Sequence, residues 1–267
     1  MTYRTILVDL TAGGPPEARL RAARSLAAHF DATLVGLHAT LPLEVGPWDG
    51  GWSAYIPPEF VEAQRRAGRE ARDKARAAFD SVCGGDAKAA WREVEGYPGW
   101  ALTQAAYVAD LVVADKDDPF EVVEQIVTTA GVPVLMLPPN PPADLGAKAV
   151  LVGWKASRES ARATHDALPF LRAAERVVLC AIGDEAATAG LDDAAEMLRR
   201  HGVAVRPERV AGTDAVAGEI LLAVAAAHEA DLLVMGAYGH SRLHERVLGG
   251  ATLRVLHEAT LPVLFSN

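Results

Sequence analysis

The residues best suited to chemistry form a glycine pattern near the C-terminal end. Gly236-Ala237-Tyr238-Gly239 follows an apolar run, and nine residues later Gly249-Gly250-Ala251-Thr252 opens a helical pattern. Glycine lets a ligand approach the backbone closely because it has no side chain. A helix N-terminus offers free N–H groups and the positive end of the helix dipole. The pattern therefore predicts a phosphate site.

Two better-known phosphate motifs do not describe this pattern. A Walker loop needs Gly-Lys-Ser/Thr, which is absent, and the dinucleotide motif follows a first strand, whereas these glycines follow a predicted fourth strand. The stretch between the glycines contains His240, Arg242, His244 and Arg246, which could donate charge-assisted hydrogen bonds to phosphate. A polar loop that faces solvent explains these four residues equally well.

Other reactive side chains lack the neighbouring residues that catalysis or metal binding would need. His165 and Asp166 are neighbours on a predicted helix, where adjacent residues point about 100° apart, so we expect surface or interface roles for them. Cys83 and Cys180 have no metal-ligand spacing around them and fit a reducing compartment. No nucleophile with its base can be identified, so we expect no enzyme, with slow ATP hydrolysis as the upper limit.

The elements that must position the glycines occur twice in the chain. Thr5–Val8 is matched 144 positions later by Ala149–Val152, and Ala109–Val113 is matched 121 positions later by Ala230–Val234. The proline-rich segment Pro138–Pro142 between the copies reads as a stiff linker. We therefore predict an N-terminal domain at 1–140 and a C-terminal domain at 146–267.

Each copy alternates short apolar strands with helical patterns. Such strands are typical of a parallel sheet covered by helices on both faces, which predicts two doubly wound α/β domains. The change in offset gives the first copy 23 extra residues, which include a loop with Trp48, Trp52 and Tyr55. That loop is either a lid or docking segment, or a loop packed on its own domain, and we favour the second reading.

The second copy has eight extra residues where its glycine loop lies. The first copy has Ala114–Pro119 at that point, with Asp115, Asp117 and Asp118, whose charges would repel phosphate. We therefore expect a degenerate site in the N-terminal domain and at most one nucleotide per chain, held in the C-terminal domain.

The chain resembles the universal stress protein family in the tandem order of its elements and in its glycine spacing, Gly236-x2-Gly239-x9-Gly249. It also resembles that family in its opening, Tyr3–Val8, and in the ends of its two halves, Pro133–Leu135 and Pro262–Phe265. The resemblance implies a five-stranded parallel sheet of order 3-2-1-4-5 in each half. It also implies pairing of the halves through their fifth strands, Val132–Leu137 beside Leu261–Ser266. The implied ligand is ATP or a related adenine nucleotide, bound alone or with Mg²⁺.

The resemblance also implies roles for individual residues. Lys155 stands where nucleotide-binding members have an aspartate, and Gly250 stands where they have a hydroxyl residue. Lys155 either binds phosphate or ribose, or marks a site that has lost affinity. The implied adenine contacts are Val152, Gly153 and Ile182; the implied ribose and phosphate contacts are Met235, Gly236, Gly239, His240, Gly249, Gly250, Ala251 and Thr252.

Composition limits the remaining function classes. The net charge of −9 disfavours a nucleic-acid partner, and no apolar run approaches the ~20 residues of a membrane span. We expect a cytoplasmic stress-response protein that signals or protects through unknown protein partners, as an intramolecular pseudo-dimer that can also form a homodimer. The alternatives are an interaction scaffold with a vestigial nucleotide site and an ATP-pyrophosphatase relative. The latter needs a phosphate loop after the first strand, which Thr11–Gly14 only faintly resembles.

Overall fold

The computed structural model describes residues 2–11, 16–41, 57–116, 122–185, 188–237 and 250–267. Several sequence predictions lie outside these ranges and are not addressed by the structure. They concern the Trp48–Tyr55 loop and the following individual residues: Asp117, Asp118, Pro119, Gly239, His240, Arg242, His244, Arg246 and Gly249.

The N-terminal half alternates strands and helices. Apolar residues at helical spacing, such as Leu20, Ala23 and Leu26, form the buried side of the first helix. The elements are β1 (Thr5–Asp9), α1 (Pro16–Phe30), β2 (Thr33–Thr40), α2 (Pro58–Cys83), β3 (Ala89–Glu95), α3 (Pro98–Ala106), β4 (Leu111–Asp115), α4 (Val122–Thr129) and β5 (Val134–Leu137).

The C-terminal half repeats the alternation, with a divided first helix. Pro169 fits the first turn of the second segment because that turn needs no N–H from it. The elements are β6 (Ala149–Trp154), α5 (Arg158–Asp166), α6 (Leu168–Ala173), β7 (Arg176–Ile182), α7 (Leu191–Arg200), β8 (Val205–Val210), a 3-10 turn (Asp214–Val216), α8 (Ala217–Ala227), β9 (Leu232–Gly236), α9 (Gly250–Glu258) and β10 (Val263–Ser266).

All ten strands form one sheet, in the order β3-β2-β1-β4-β5-β10-β9-β6-β7-β8. Within each half the strands are parallel and the order 3-2-1-4-5 is as predicted. The prediction of one five-stranded sheet per domain needs a correction, because the ten strands form a single sheet. The predicted pairing of Val132–Leu137 with Leu261–Ser266 is confirmed: β5 and β10 are apolar edges that pair antiparallel, with Leu135 opposite Leu264, so neither edge stays open.

The two halves also share a core outside the sheet. Tyr3 and Phe30 of the N-terminal half pack edge-on, with ring centroids 5.1 Å apart, and Phe30 packs in the same way on Phe170 of the C-terminal half at 5.2 Å. The Tyr3 hydroxyl donates a hydrogen bond to the backbone carbonyl of Asp166. Burial therefore joins the halves over a surface wider than one strand pair. Within the described ranges, every helix is too short or too polar to cross a bilayer.

Candidate nucleotide site

A cavity of about 360 Å³ lies at the carboxyl ends of the C-terminal strands. This is the end at which open α/β sheets bind ligands, and the volume suits a small molecule. Its apolar lining comes from Cys180 and Ile182 of β7, Leu221 of α8 and Met235 of β9. The other lining residues are Gly153, Trp154, Lys155, Ser157, Glu159, Ser160, Asp214, Ala215, Ala217, Gly236, Gly250, Ala251 and Thr252.

Two serines hold the turn between β6 and α5 at one wall of this cavity. Ser157 caps α5, because its hydroxyl accepts a hydrogen bond from the backbone N–H of Ser160 at 3.2 Å. The Ser160 hydroxyl donates to the Gly153 carbonyl at 3.2 Å and accepts from the Lys155 N–H at 3.1 Å. These bonds place the backbone of Lys155 at the cavity rim.

Gly236 lines the cavity and also serves helix packing. A Cβ atom on Gly236 would lie 2.6 Å from the backbone nitrogen of Ser160 in α5, closer than real contacts allow. The glycine therefore lets α5 pack against the end of β9. Ligand approach was the role predicted for Gly236, and the close approach that the structure shows is that of α5.

A charged pair stands at the cavity rim. Lys155 Nζ lies 2.8 Å from Asp214 Oδ2, with side-chain exposures of 48% and 66%. Lys155 follows β6 and Asp214 lies in the 3-10 turn after β8, while β7 is the strand between β6 and β8. The pair therefore bridges the carboxyl end of β7, where Ile182 lines the cavity.

The cysteine in the cavity wall, Cys180, is unreactive near neutral pH. Burial, with a smaller contribution from the charge of Glu208, raises the pKa of the Cys180 thiol to about 11. Cys180 stays protonated near neutral pH, so it behaves there as a small apolar side chain rather than as a nucleophile.

Helix α9 points its N-terminus at the cavity. Gly250, Ala251 and Thr252 line it, and a Cβ on Gly250 would meet no described residue within 4 Å. Gly218 of α8 packs so closely on α9 that a Cβ there would lie 2.7 Å from the Ala251 carbonyl oxygen. The start of α9 is therefore held in place, and no described residue crowds the position of a side chain at its first residue.

The structure brings most of the described predicted residues together. Val152 does not line the cavity: it is 1% exposed and packs in the apolar layer on the other face of the sheet. Alternate residues of a strand point to opposite faces, so Gly153 and Val152 could not both face the ligand. The predicted residues that do line it are Gly153, Lys155, Ile182, Met235, Gly236, Gly250, Ala251 and Thr252.

Sequence reasoning missed the contribution of the 3-10 turn and α8. Asp214 and Leu221 lie after the third strand of the half, where the resemblance pointed to no ligand contact. Glu159 was also missed, although its position two residues after the Ser157 cap places it in the first turn of α5. Only the cap signal was available from the sequence.

The equivalent place in the N-terminal half is filled by charged side chains. The sequence offsets align Asp9 with Gly153 and Asp115 with Gly236, and the strand registers agree with this alignment. Arg19 of α1 lies between them, with Nη1 donating to the Asp9 carbonyl at 2.9 Å and Nη2 3.5 Å from Asp115 Oδ2. Asp9, Arg19 and Asp115 are 0%, 3% and 5% exposed.

This arrangement changes the role predicted for Asp115. The sequence prediction treated its charge as repelling phosphate, whereas the structure pairs it with Arg19 inside the protein. Two glycines of the C-terminal half are thus replaced by two aspartates bridged by an arginine. Thr11 is also engaged internally, because its hydroxyl accepts a hydrogen bond from the Ala39 N–H at 2.9 Å.

The remaining candidates have structural roles. His165 Nδ1 lies 2.8 Å from the Ala161 carbonyl, one helical turn back. Asp166 accepts a hydrogen bond from the Ser266 hydroxyl at 2.7 Å and pairs with Arg162 at 2.8 Å. No cluster of metal-binding side chains occurs in the part of the chain that the structure describes.

Comparison with known proteins decides the family of the C-terminal half. Residues 146–266 match the sequence model of the universal stress protein family. The C-terminal half of this chain belongs to the universal stress protein family. A universal stress protein of Synechocystis is 36% identical over 81 residues, which cover 30% of this chain and 27% of that protein.

Comparison with solved structures extends the likeness in fold to both halves. A universal stress protein from Archaeoglobus fulgidus aligns with 98% of this chain over 96% of its own length, with a TM-score of 0.70 and 16% sequence identity. A functionally unknown protein from Pseudomonas aeruginosa aligns with 99% of this chain over 92% of its own length, with a TM-score of 0.60 and 14% sequence identity. At these identities the likeness shows that the whole chain has a fold that a universal stress protein also has.

Proposed function

We propose that this chain is a tandem universal stress protein, with domains at 1–140 and 146–267, that binds ATP or a related adenine nucleotide in its C-terminal domain. The cavity beside the start of α9 carries the proposal. Its apolar walls, Ile182, Leu221 and Met235, suit the faces of a base. The N-terminus of α9 suits a phosphate group, because its N–H groups and dipole favour an anion.

The proposed binding residues within the described ranges are Gly153, Lys155, Ile182, Met235 and Gly236, with Gly250, Ala251 and Thr252 at the phosphates. The sequence adds Gly239, His240 and Gly249. The chain is proposed to act in the cytoplasm by signalling or protection through protein partners, as a pseudo-dimer that can pair with a second copy. The free thiols of Cys83 and Cys180 agree with a reducing compartment. No catalytic step is proposed.

The proposed stoichiometry is one nucleotide per chain. In the N-terminal half, the side chains of Asp9, Arg19 and Asp115 occupy the positions that correspond to the cavity wall of the other half. A ligand there would have to displace a buried ion pair, which costs several kcal/mol for each ion left unpaired.

Isothermal titration with ATP, ADP and AMP tests the proposal. We expect binding with one site per chain. Absence of binding at millimolar concentrations of all three nucleotides would remove the proposal and leave the interaction scaffold as the better reading. A stoichiometry near two would keep the ligand class but reject the assignment to one half.

A further inference from the structure

The ion pair between Lys155 and Asp214 lies beside the start of α9. Helices α8 and α9 both begin at the carboxyl end of the sheet, and the 3-10 turn Asp214–Val216 that leads into α8 packs against α9. Gly218, just after this turn, is so close to α9 that a Cβ there would lie 2.7 Å from the Ala251 carbonyl oxygen. Because Lys155 Nζ lies 2.8 Å from Asp214 Oδ2, an ammonium group is held near the first turn of α9.

The first turn of α9 adds further hydrogen-bond donors. Thr252 lines the cavity and is only 5% exposed, yet its hydroxyl has no hydrogen-bond partner among the described residues. The backbone N–H groups of a first helical turn also lack partners within the helix, and the helix dipole favours negative charge there. The Thr252 hydroxyl, these N–H groups and the Lys155 ammonium group can therefore all donate to a ligand in the same cavity.

Phosphate is the part of a nucleotide that fits this set of donors best. Its ionised oxygens accept hydrogen bonds and carry negative charge, whereas the edge of adenine presents a donor next to an acceptor. The Asp214 carboxylate already accepts a hydrogen bond from Lys155, so it takes the place on the ammonium group that a phosphate oxygen would take. The carboxylate also has the same sign of charge as phosphate and would repel it.

We infer that Lys155 binds a phosphate group held at the start of α9, and that Asp214 competes with this phosphate for the Lys155 ammonium group. The inference rests on the proposed function, because it assigns one part of the nucleotide to the proposed site. The Lys155 side chain is about half exposed, so it can turn from the carboxylate to a phosphate without disturbing the core. Lys155 therefore promotes nucleotide binding, and Asp214 limits it.

Variants of both residues should fold, because exposed ion pairs contribute little to stability. The pair between Arg209 and Asp192 provides matched controls: its charged atoms are 2.6 Å apart, both side chains are exposed, and neither residue lines the cavity. Lys155→Met and Arg209→Met each remove one positive charge from the C-terminal half. Asp214→Asn and Asp192→Asn each remove one negative charge, so the controls account for the change in net charge.

The experiment measures the affinities of the wild type and the four variants for ATP and adenosine by titration calorimetry. We expect Lys155→Met to weaken ATP binding about tenfold or more, the size of a lost hydrogen bond to a charged group, and to leave adenosine binding unchanged. Asp214→Asn should strengthen ATP binding about threefold or more, because the phosphate no longer meets a competing carboxylate. Arg209→Met and Asp192→Asn should change ATP affinity less than about twofold, because salt screens distant exposed charges.

The outcomes separate this inference from the proposed function. An equal loss of ATP and adenosine affinity in Lys155→Met, or no loss of ATP affinity, would overturn the inference and leave nucleotide binding intact. Weaker or unchanged ATP binding by Asp214→Asn would overturn it as well, because the carboxylate would then not be a competitor. If the wild type bound neither ligand, the proposed function and the inference would fall together. The two variants test the same claim in opposite directions, so a folding defect in one of them would not leave the question open.

Discussion

The ammonium group of Lys116 in the N-terminal half donates a hydrogen bond to the Ala259 carbonyl of the C-terminal half, 3.0 Å away. Ala259 follows the last residue of α9, so a positive charge from one half lies at the C-terminal end of a helix in the other. Arg162 makes the reciprocal contact, because its Nη2 donates to the Gly131 carbonyl just beyond α4 at 3.3 Å. Each half thus stabilises the helix that precedes the fifth strand of the other.

Removing the Lys116 charge should weaken the contact between the two halves. We expect Lys116→Met to lower the free energy of unfolding by about 0.5–1.5 kcal/mol, because the carbonyl loses its partner and the helix its favourable charge. Urea denaturation measures the change. Lys148→Met is the control, since the exposed Lys148 lies 3.9 Å from Glu175 and should matter little. Equal losses in the two variants would contradict the expectation.

The charged cluster of the N-terminal half should be sensitive to loss of its arginine. We expect Arg19→Leu to lower the free energy of unfolding by about 3–5 kcal/mol, because Asp9 and Asp115 would remain buried without this positive charge. Arg21→Leu, at an exposed position of the same helix, should cost less than about 0.5 kcal/mol.

A triple variant separates charge from packing in that cluster. Asp9→Asn and Asp115→Asn combined with Arg19→Leu should recover much of the stability lost in Arg19→Leu, because no buried charge is then unbalanced. The midpoints of thermal unfolding of the wild type, Arg19→Leu and the triple variant provide the comparison. If the triple variant were less stable than Arg19→Leu, the cost would come from lost hydrogen bonds and packing instead.

The start of α9 can be tested with one added charge. Gly250→Glu should fold well, since a Cβ there meets none of the described residues within 4 Å and an acidic residue suits a helix N-terminus. The carboxylate should repel phosphate and weaken ATP binding about tenfold or more. Gly250→Gln has nearly the same size without the charge and should keep most of the affinity. Equal binding by both variants would place the phosphates elsewhere.

Alkaline pH should destabilise the protein through Cys180. Its pKa is raised from 9.0 to about 11, so the folded state holds a proton that the unfolded state releases. The resulting stabilisation, on the order of 2–3 kcal/mol, is present below pH 9 and is lost as pH rises toward 11. Burial also raises the pKa of Tyr3, which acts in the same direction.

The Cys180→Ala variant isolates this contribution. Its free energy of unfolding should fall less steeply between pH 9 and pH 11 than that of the wild type, because the ionisable thiol is gone. Urea denaturation at several pH values gives both curves. Parallel curves for the two proteins would show that the thiol titrates alike in the folded and unfolded states.

The alternation of strands and helices in each half could be predicted from the sequence, while the strand order was implied by the resemblance to universal stress proteins. Short apolar strands such as Leu111–Asp115 read as buried parallel strands, and the repeated order of elements revealed the duplication. The placement of Gly153 and Gly250 at one site was implied by the same resemblance, and it agrees with the rule that the carboxyl ends of parallel strands meet at one edge of a sheet. These features depend on local pattern and chain order.

Other features depended on which side chains meet across the fold. Asp214 reaches Lys155 although 58 residues separate them, and Arg19 bridges Asp9 to Asp115 across two strands. The pattern of residues along the chain does not show such pairings, because a charged side chain reads the same whether it faces solvent or a partner. The resemblance predicted that β5 and β10 pair, but only the tertiary structure showed that they pair antiparallel and so continue one sheet across both halves, since an apolar edge strand can be covered by several kinds of neighbour.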